Sequence, residues 1–109
     1  MLIAHRCLTI SGQSGDIEVP VRLFQPEEND SGWICRYEID WPSRKKAHWA
    51  GGIDSIQAMI LALQMIGAEI YTSGYHRSGA LRWSEQTHGY GFPVARNIRD
   101  LLIGDDINL

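Results

Sequence analysis

Hydrophobic and polar residues alternate along the first half of the chain, and the alternation then gives way to one long apolar run. Ile17, Val19, Val21 and Leu23 alternate with Glu18, Pro20 and Arg22, and Trp33, Cys35, Tyr37 and Ile39 alternate with Ile34, Arg36 and Glu38. A period of two is the signature of a strand with one buried face. Residues 2–10 read as a strand closed by a Gly/Ser turn cluster at 11–15, and residues 44–50 as a weaker fourth strand. Pro20 cannot donate to a ladder, so an edge or bulge is expected near it. Residues 25–32 are acidic and polar and read as an exposed loop, and residues 40–43 as a turn. Such short connections favour an antiparallel meander.

The apolar run covers residues 54–73 and predicts a helix. Asp54 is placed to cap its N-terminus, with Gln57 reaching back to complete a capping box. On a helical wheel Ile56, Met59, Ile60, Leu63, Ile66, Gly67 and Ile70 gather on one side, the expected core face. Ala58, Leu61, Ala62, Met65 and Ala68 lie opposite, broken by a narrow stripe of Gln57 and Gln64. A helix apolar nearly all round is buried on more than one side. Its second face is therefore expected to be covered by the C-terminal third of the chain or by a second copy, the latter through Leu61 and Met65. The run is too short and too interrupted by Gln to cross a membrane. Ser73-Gly74 supplies the expected stop, with Gly74 in a left-handed conformation.

Beyond Gly74 the pattern is irregular. Residues 81–83 and 90–92 are expected to form a short hairpin around a loop at 85–89. Residues 97–102 are expected to form a last helical turn or two capped by Asn97, with order ending at 104–106 and the last residues fraying. The fold class expected is α+β: an antiparallel meander of about four strands packed on one long helix, in a single domain spanning residues 1–109.

Charge narrows the function classes. The net charge is −3, and residues 44–46 (Arg44, Lys45, Lys46) form the one cationic run. Phosphate-driven nucleic-acid binding is therefore disfavoured. Cys7 and Cys35 lie in separate strands without C-x-x-C spacing, and no secretory leader is legible, so a reducing cytoplasmic setting is expected.

Several segments together resemble a family of small bacterial proteins classed as a domain of unknown function. They are Trp33-Ile34-Cys35-Arg36-Tyr37-Glu38-Ile39, Gly52-Ile53-Asp54-Ser55-Ile56-Gln57-Ala58, Tyr75-His76, Leu81-Arg82-Trp83, Gly91-Phe92-Pro93 and Ile98-Arg99-Asp100-Leu101-Leu102. The resemblance covers residues 2 to 105 and implies a bacterial, cytoplasmic protein; it carries over no catalytic residue. The order of three strands followed by a helix is also similar, in architecture alone, to some small immunity proteins that neutralise bacterial toxins.

Candidate chemistry concentrates in residues 71–92, which hold Tyr71, Tyr75, His76, Arg77, Arg82, Trp83, Glu85, His88 and Tyr90 among glycines. Tyr75, His76, Arg77 and His88 are the candidate ligand-binding set, since a histidine beside Tyr and Arg can move a proton or hold an anion. The competing reading is that the aromatics cover the helix while the charges face water. The four histidines and two cysteines lack a zinc spacing. No nucleophile elbow, P-loop or dinucleotide fingerprint is present, so no catalytic residue, metal or cofactor is assigned. Trp33 and Trp49 fall on inward positions and are expected in the core. Trp41 sits in a turn, where it either folds back over its strand or marks an interface. With Arg44, Lys45 and Lys46 it forms the candidate partner-binding set. The leading expectation is a non-enzymatic protein-binding module of immunity or regulatory type. The alternative is a small-molecule binder or weak enzyme with its site in residues 71–92.

Overall fold

The computed structural model describes residues 1–84 and 88–109. Four long strands carry the sheet: β1 (Leu2–Ile10), β2 (Ile17–Phe24), β4 (Gly32–Asp40) and β5 (Lys45–Gly52), with β3 (Glu27–Asn29) and β6 (Leu81–Arg82) as short additions. All pairings are antiparallel, and β1, β2, β4 and β5 are neighbours in chain order, the expected meander. Helix α1 (Ser55–Tyr71) packs on one face of this sheet, and the short helix α2 (Gly74–Arg77) follows it. The fold is α+β.

Alternation decides which side of each strand meets the helix. Leu8 and Ile10, Val19, Val21 and Leu23, Cys35, Tyr37 and Ile39, and Ala50 are all buried in one cluster with α1. Arg22 on the opposite face bridges Glu38 at 3.4 Å and Asp40 at 2.8 Å across β2 and β4. Pro20 lies just beyond the last β2–β4 pair, Val21 with Ile39, so its missing amide falls where β2 has an open edge.

Several expectations need correction. Residues 25–32 are not all loop: Glu27–Asn29 pairs with Gly32, Trp33 and Ile34, although its side chains stay exposed. Strand β6 pairs with Thr9 and Ile10 of β1 instead of with residues 90–92. The first part of that expected loop, residues 85–87, lies outside the described residues. Trp49 is 51% exposed, while its neighbour Ala50 is buried. Trp49 pairs with Arg36, on the side of β4 that faces away from the helix, whereas Ala50 pairs with buried Cys35.

The buried face of the helix matches the wheel in part: Ile66, Gly67 and Ile70 are buried as expected, but the first two turns present a different side. Asp54 caps it as expected, its carboxylate accepting from Gln57 N at 2.8 Å, and Gln57 Oε1 accepts from Ile53 N. Yet Ala58 and Ala62 are completely buried, whereas Ile56 and Ile60 are 66% and 49% exposed. The reason is close approach: a Cβ on Gly52 would lie 2.5 Å from Ala58 N, so only small side chains fit between α1 and the end of β5. Gly74 does not end α1. Thr72 does, and Ser73 caps α2 by accepting from His76 N, with Gly74 as the first residue of that helix.

The C-terminal segment then crosses α1. Val94 is buried, and a Cβ on Gly67 would collide with the Pro93 carbonyl. Thus the chain's own last third covers α1 on the side of Gly67, which the wheel placed on the core face, and not on the side of Leu61 and Met65. Residues 96–101 form a 3-10 turn preceded by Ala95, with no side-chain cap from Asn97. The end of the chain does not fray as expected: Gly104–Asn108 is a second 3-10 turn, and Asp106 within it is only 1% exposed.

Candidate functional site

The turn between β4 and β5 brings the partner-binding candidates beside one of the ligand-binding candidates. Trp41 folds over Tyr75 of α2, ring centroids 5.3 Å apart and planes 15° from parallel. Both rings are half-buried and line a surface hollow of about 240 Å³ with Ser43, Arg44, Glu69 and Ser73. Glu69 accepts from Tyr37 Oη at 2.6 Å and meets Lys46 Nζ at 3.7 Å. Lys45 lies 3.5 Å from Glu38. Arg44 is exposed and has no carboxylate partner among the described residues.

Strand β5, which these cations open, is the outer strand of the sheet beside β4. Its exposed Trp49 borders a second hollow of 330 Å³, whose wall is Leu61, Met65 and Ala68 of α1 together with Ala50 and Ala95. The Trp49 amide donates to His48 Nδ1 at 2.7 Å. A side chain thus blunts part of the sheet edge.

The four ligand-binding candidates do not converge. Tyr75 is taken by Trp41. Arg77 donates to the Thr72 carbonyl at 2.9 Å, and exposed His88 donates its amide to Asp105. Only His76 enters a network. Its Nδ1 lies 2.5 Å from Tyr90 Oη, and its ring packs edge-on against Tyr71 and Tyr90. Burial, and secondarily the charge of Arg77, lowers the His76 pKa from its ordinary value, favouring the neutral ring.

Asp106 organises the rest of that network. Its carboxylate accepts from Tyr71 Oη at 2.5 Å, from Tyr90 N at 2.8 Å and from Gly91 N at 2.7 Å. Burial, with Asp106 adding to it, pushes Tyr90 up to about 12 and Tyr71 further. The arrangement ties residues 90–106 to α1; its acceptors and donors face one another, not a cavity.

Two residues were missed in the sequence. Asp106 belongs to what reads as a charged tail, and nothing local marks it. Arg6 could have been found by strand alternation, because it shares the inward row of Leu8 and Ile10. Its Nη1 donates to the Tyr90 and Gly91 carbonyls at 3.0 and 2.9 Å, and its guanidinium lies 3.8 Å over Trp83 and 4.9 Å from Phe92.

Cys7 and Cys35 are free thiols. No helix among the described residues is long and apolar enough to cross a membrane. No curated protein and no solved structure matches the chain. A family model does match residues 4–94, most of the 109-residue length, and the chain therefore belongs to the family described as a domain of unknown function, DUF6968.

Proposed function

We propose that the protein is a non-enzymatic module of the cytoplasm that acts by binding another protein, in an immunity or regulatory role, along the β5 edge. The observation that carries this reading is Trp49, a large aromatic 51% exposed on an outer strand beside an apolar hollow. Exposed Trp is enriched where partners anchor, and an outer strand offers unpaired main-chain groups to an added strand. The cations at the start of β5 favour an acidic partner segment, and Arg44 is the member without an internal counter-ion among the described residues. The clustered titratable groups support a binding role over a catalytic one, because Tyr37, Tyr71 and His76 are each engaged by a neighbour within the fold. Two unpaired thiols fit a reducing compartment.

The test is capture of a partner from the native host by the tagged chain, repeated with Trp49→Ser, Arg44→Glu and Trp41→Ala. A partner held by the natural chain and lost from folded Trp49→Ser and Arg44→Glu supports the reading. Equal capture by all three variants would remove this surface as the interface. A second copy is the other occupant that the Leu61 and Met65 hollow could take. Sedimentation of the natural chain as a dimer, with Leu61→Glu a folded monomer, would select it.

A further inference from the structure

Strand β1 carries an arginine in a row of core-facing residues. Arg6 pairs with Val21 and Ala4 with Leu23, so both project on the helix side, two and four residues from buried Leu8. A charge on that side of a sheet is costly unless it is paired. The partners Arg6 finds are two backbone carbonyls and the faces of Trp83 and Phe92, none of them anionic. Its nearest carboxylate influence is Asp106, whose oxygens are already occupied by Tyr71, Tyr90 and Gly91. Among the described residues Nε and Nη2 have no acceptor, since both hydrogen bonds of the guanidinium use Nη1. The guanidinium is thus held in place along one edge and, among the described residues, free along the other.

Beside it the core is incomplete. A cleft of 240 Å³ opens between β1, β2 and α1, lined by Ala4, Val21, Leu23, Leu63, Phe92 and Arg6. Ala4 adds only a methyl to its floor. At Gly91 (φ +76°) a Cβ would collide with Arg6 Nη1 and sit 2.7 Å from Trp83, so the glycine lets the guanidinium pack closely there. Ligand pockets usually span about 300–1,000 Å³, so this one suits a small molecule.

We infer that this cleft binds a small organic carboxylate, its apolar body against Val21, Leu23 and Leu63 and its carboxylate on the free edge of Arg6. An apolar floor with one fixed cation is complementary to that chemistry, and the planar guanidinium fork matches a carboxylate in two parallel hydrogen bonds. The site lies on β1, across the sheet from the β5 edge, so it stands independently of the protein-binding reading.

The test is titration of the full-length, isotope-labelled chain with octanoate, octanol and octylamine, followed by amide chemical shifts. Octanoate is expected to give saturable shifts centred on Ala4, Arg6, Leu23, Leu63 and Gly91, with octanol weaker and octylamine inert. Arg6→Met should weaken octanoate by about tenfold or more, and Leu63→Trp, which fills the cleft, should abolish it. If Arg6→Met does not fold, the three-probe comparison and Leu63→Trp still decide. Absence of saturable shifts with octanoate, equal binding of octanoate and octylamine, or unchanged binding in folded Leu63→Trp would each overturn the proposal.

Discussion

Tyr71, the last residue of α1, donates its hydroxyl to the carboxylate of Asp106 at 2.5 Å, joining the end of the helix to the end of the chain. The Ile103 amide donates to the same tyrosine oxygen at 3.3 Å. One buried contact therefore fastens the segment that covers the helix. Hydrogen bonds to a charged group contribute about 1.5–3 kcal/mol each. Tyr71→Phe is expected to lower stability by about 2 kcal/mol, and Asp106→Ala by more, because it orphans the amides of Tyr90 and Gly91 as well. Urea unfolding of the two variants checks this. An Asp106→Ala protein as stable as the natural one would mean that the C-terminal turn does not hold the segment down.

Stability should fall at alkaline pH. Tyr37, Tyr71 and Tyr90 all have raised pKa values, chiefly from burial and then from Glu69 or Asp106. An unfolded tyrosine loses its proton near about pH 10, whereas Tyr90 in the fold holds it to about 12. The native state therefore keeps protons that the unfolded state releases. The stability this provides is complete below about pH 10 and is lost as pH rises toward and through the folded values. Urea midpoints taken on either side of about pH 10 should separate, and the fall should be shallower in Tyr90→Phe. A midpoint that is flat across that range would contradict the buried placement of these hydroxyls.

Gly67 presents an instructive conflict between helix propensity and packing. Alanine is favoured over glycine in a helix interior by about 1 kcal/mol, so Gly67→Ala looks stabilising in sequence. The Pro93 carbonyl and the Val94 side chain occupy the space a Cβ would need, and the nearer of the two is backbone, which cannot swing aside. The substitution is expected to destabilise by about 1–3 kcal/mol, as overpacking usually does. Ala58→Gly, at a buried position beside the end of β5 where nothing larger is added, should cost the propensity difference of about 1 kcal/mol plus its lost methyl. Thermal unfolding of the pair distinguishes them, and a stabilised Gly67→Ala would show that the C-terminal segment does not cross the helix there.

The sequence by itself determined the elements whose signals are local. The four long strands follow from side chains that alternate every second residue, and the start of α1 from Asp54 and Gln57, whose side chains accept from the nearby amides of Gln57 and Ile53. Free Cys35 in the core and the meander order followed from the same alternation and from short connections. The helix face was not decided there, because α1 is apolar nearly all round and a wheel ranks such sides only by size. Tertiary approach shifted the face in the first turns, where the end of β5 comes so close that Ala58 and Ala62 are buried and Ile56 and Ile60 are not, while Ile66 and Ile70 stay buried as the wheel has them. The same holds for Trp49, whose side of the strand is set by its pairing with Arg36. It holds also for β6, whose partner β1 lies about seventy residues earlier. Asp106 and Arg6 belong to this second class. A carboxylate in an acidic tail and an arginine in a strand acquire meaning only when the fold brings distant amides to one and distant carbonyls and aromatic faces to the other, since contacts between residues far apart in the chain leave no periodic trace in it.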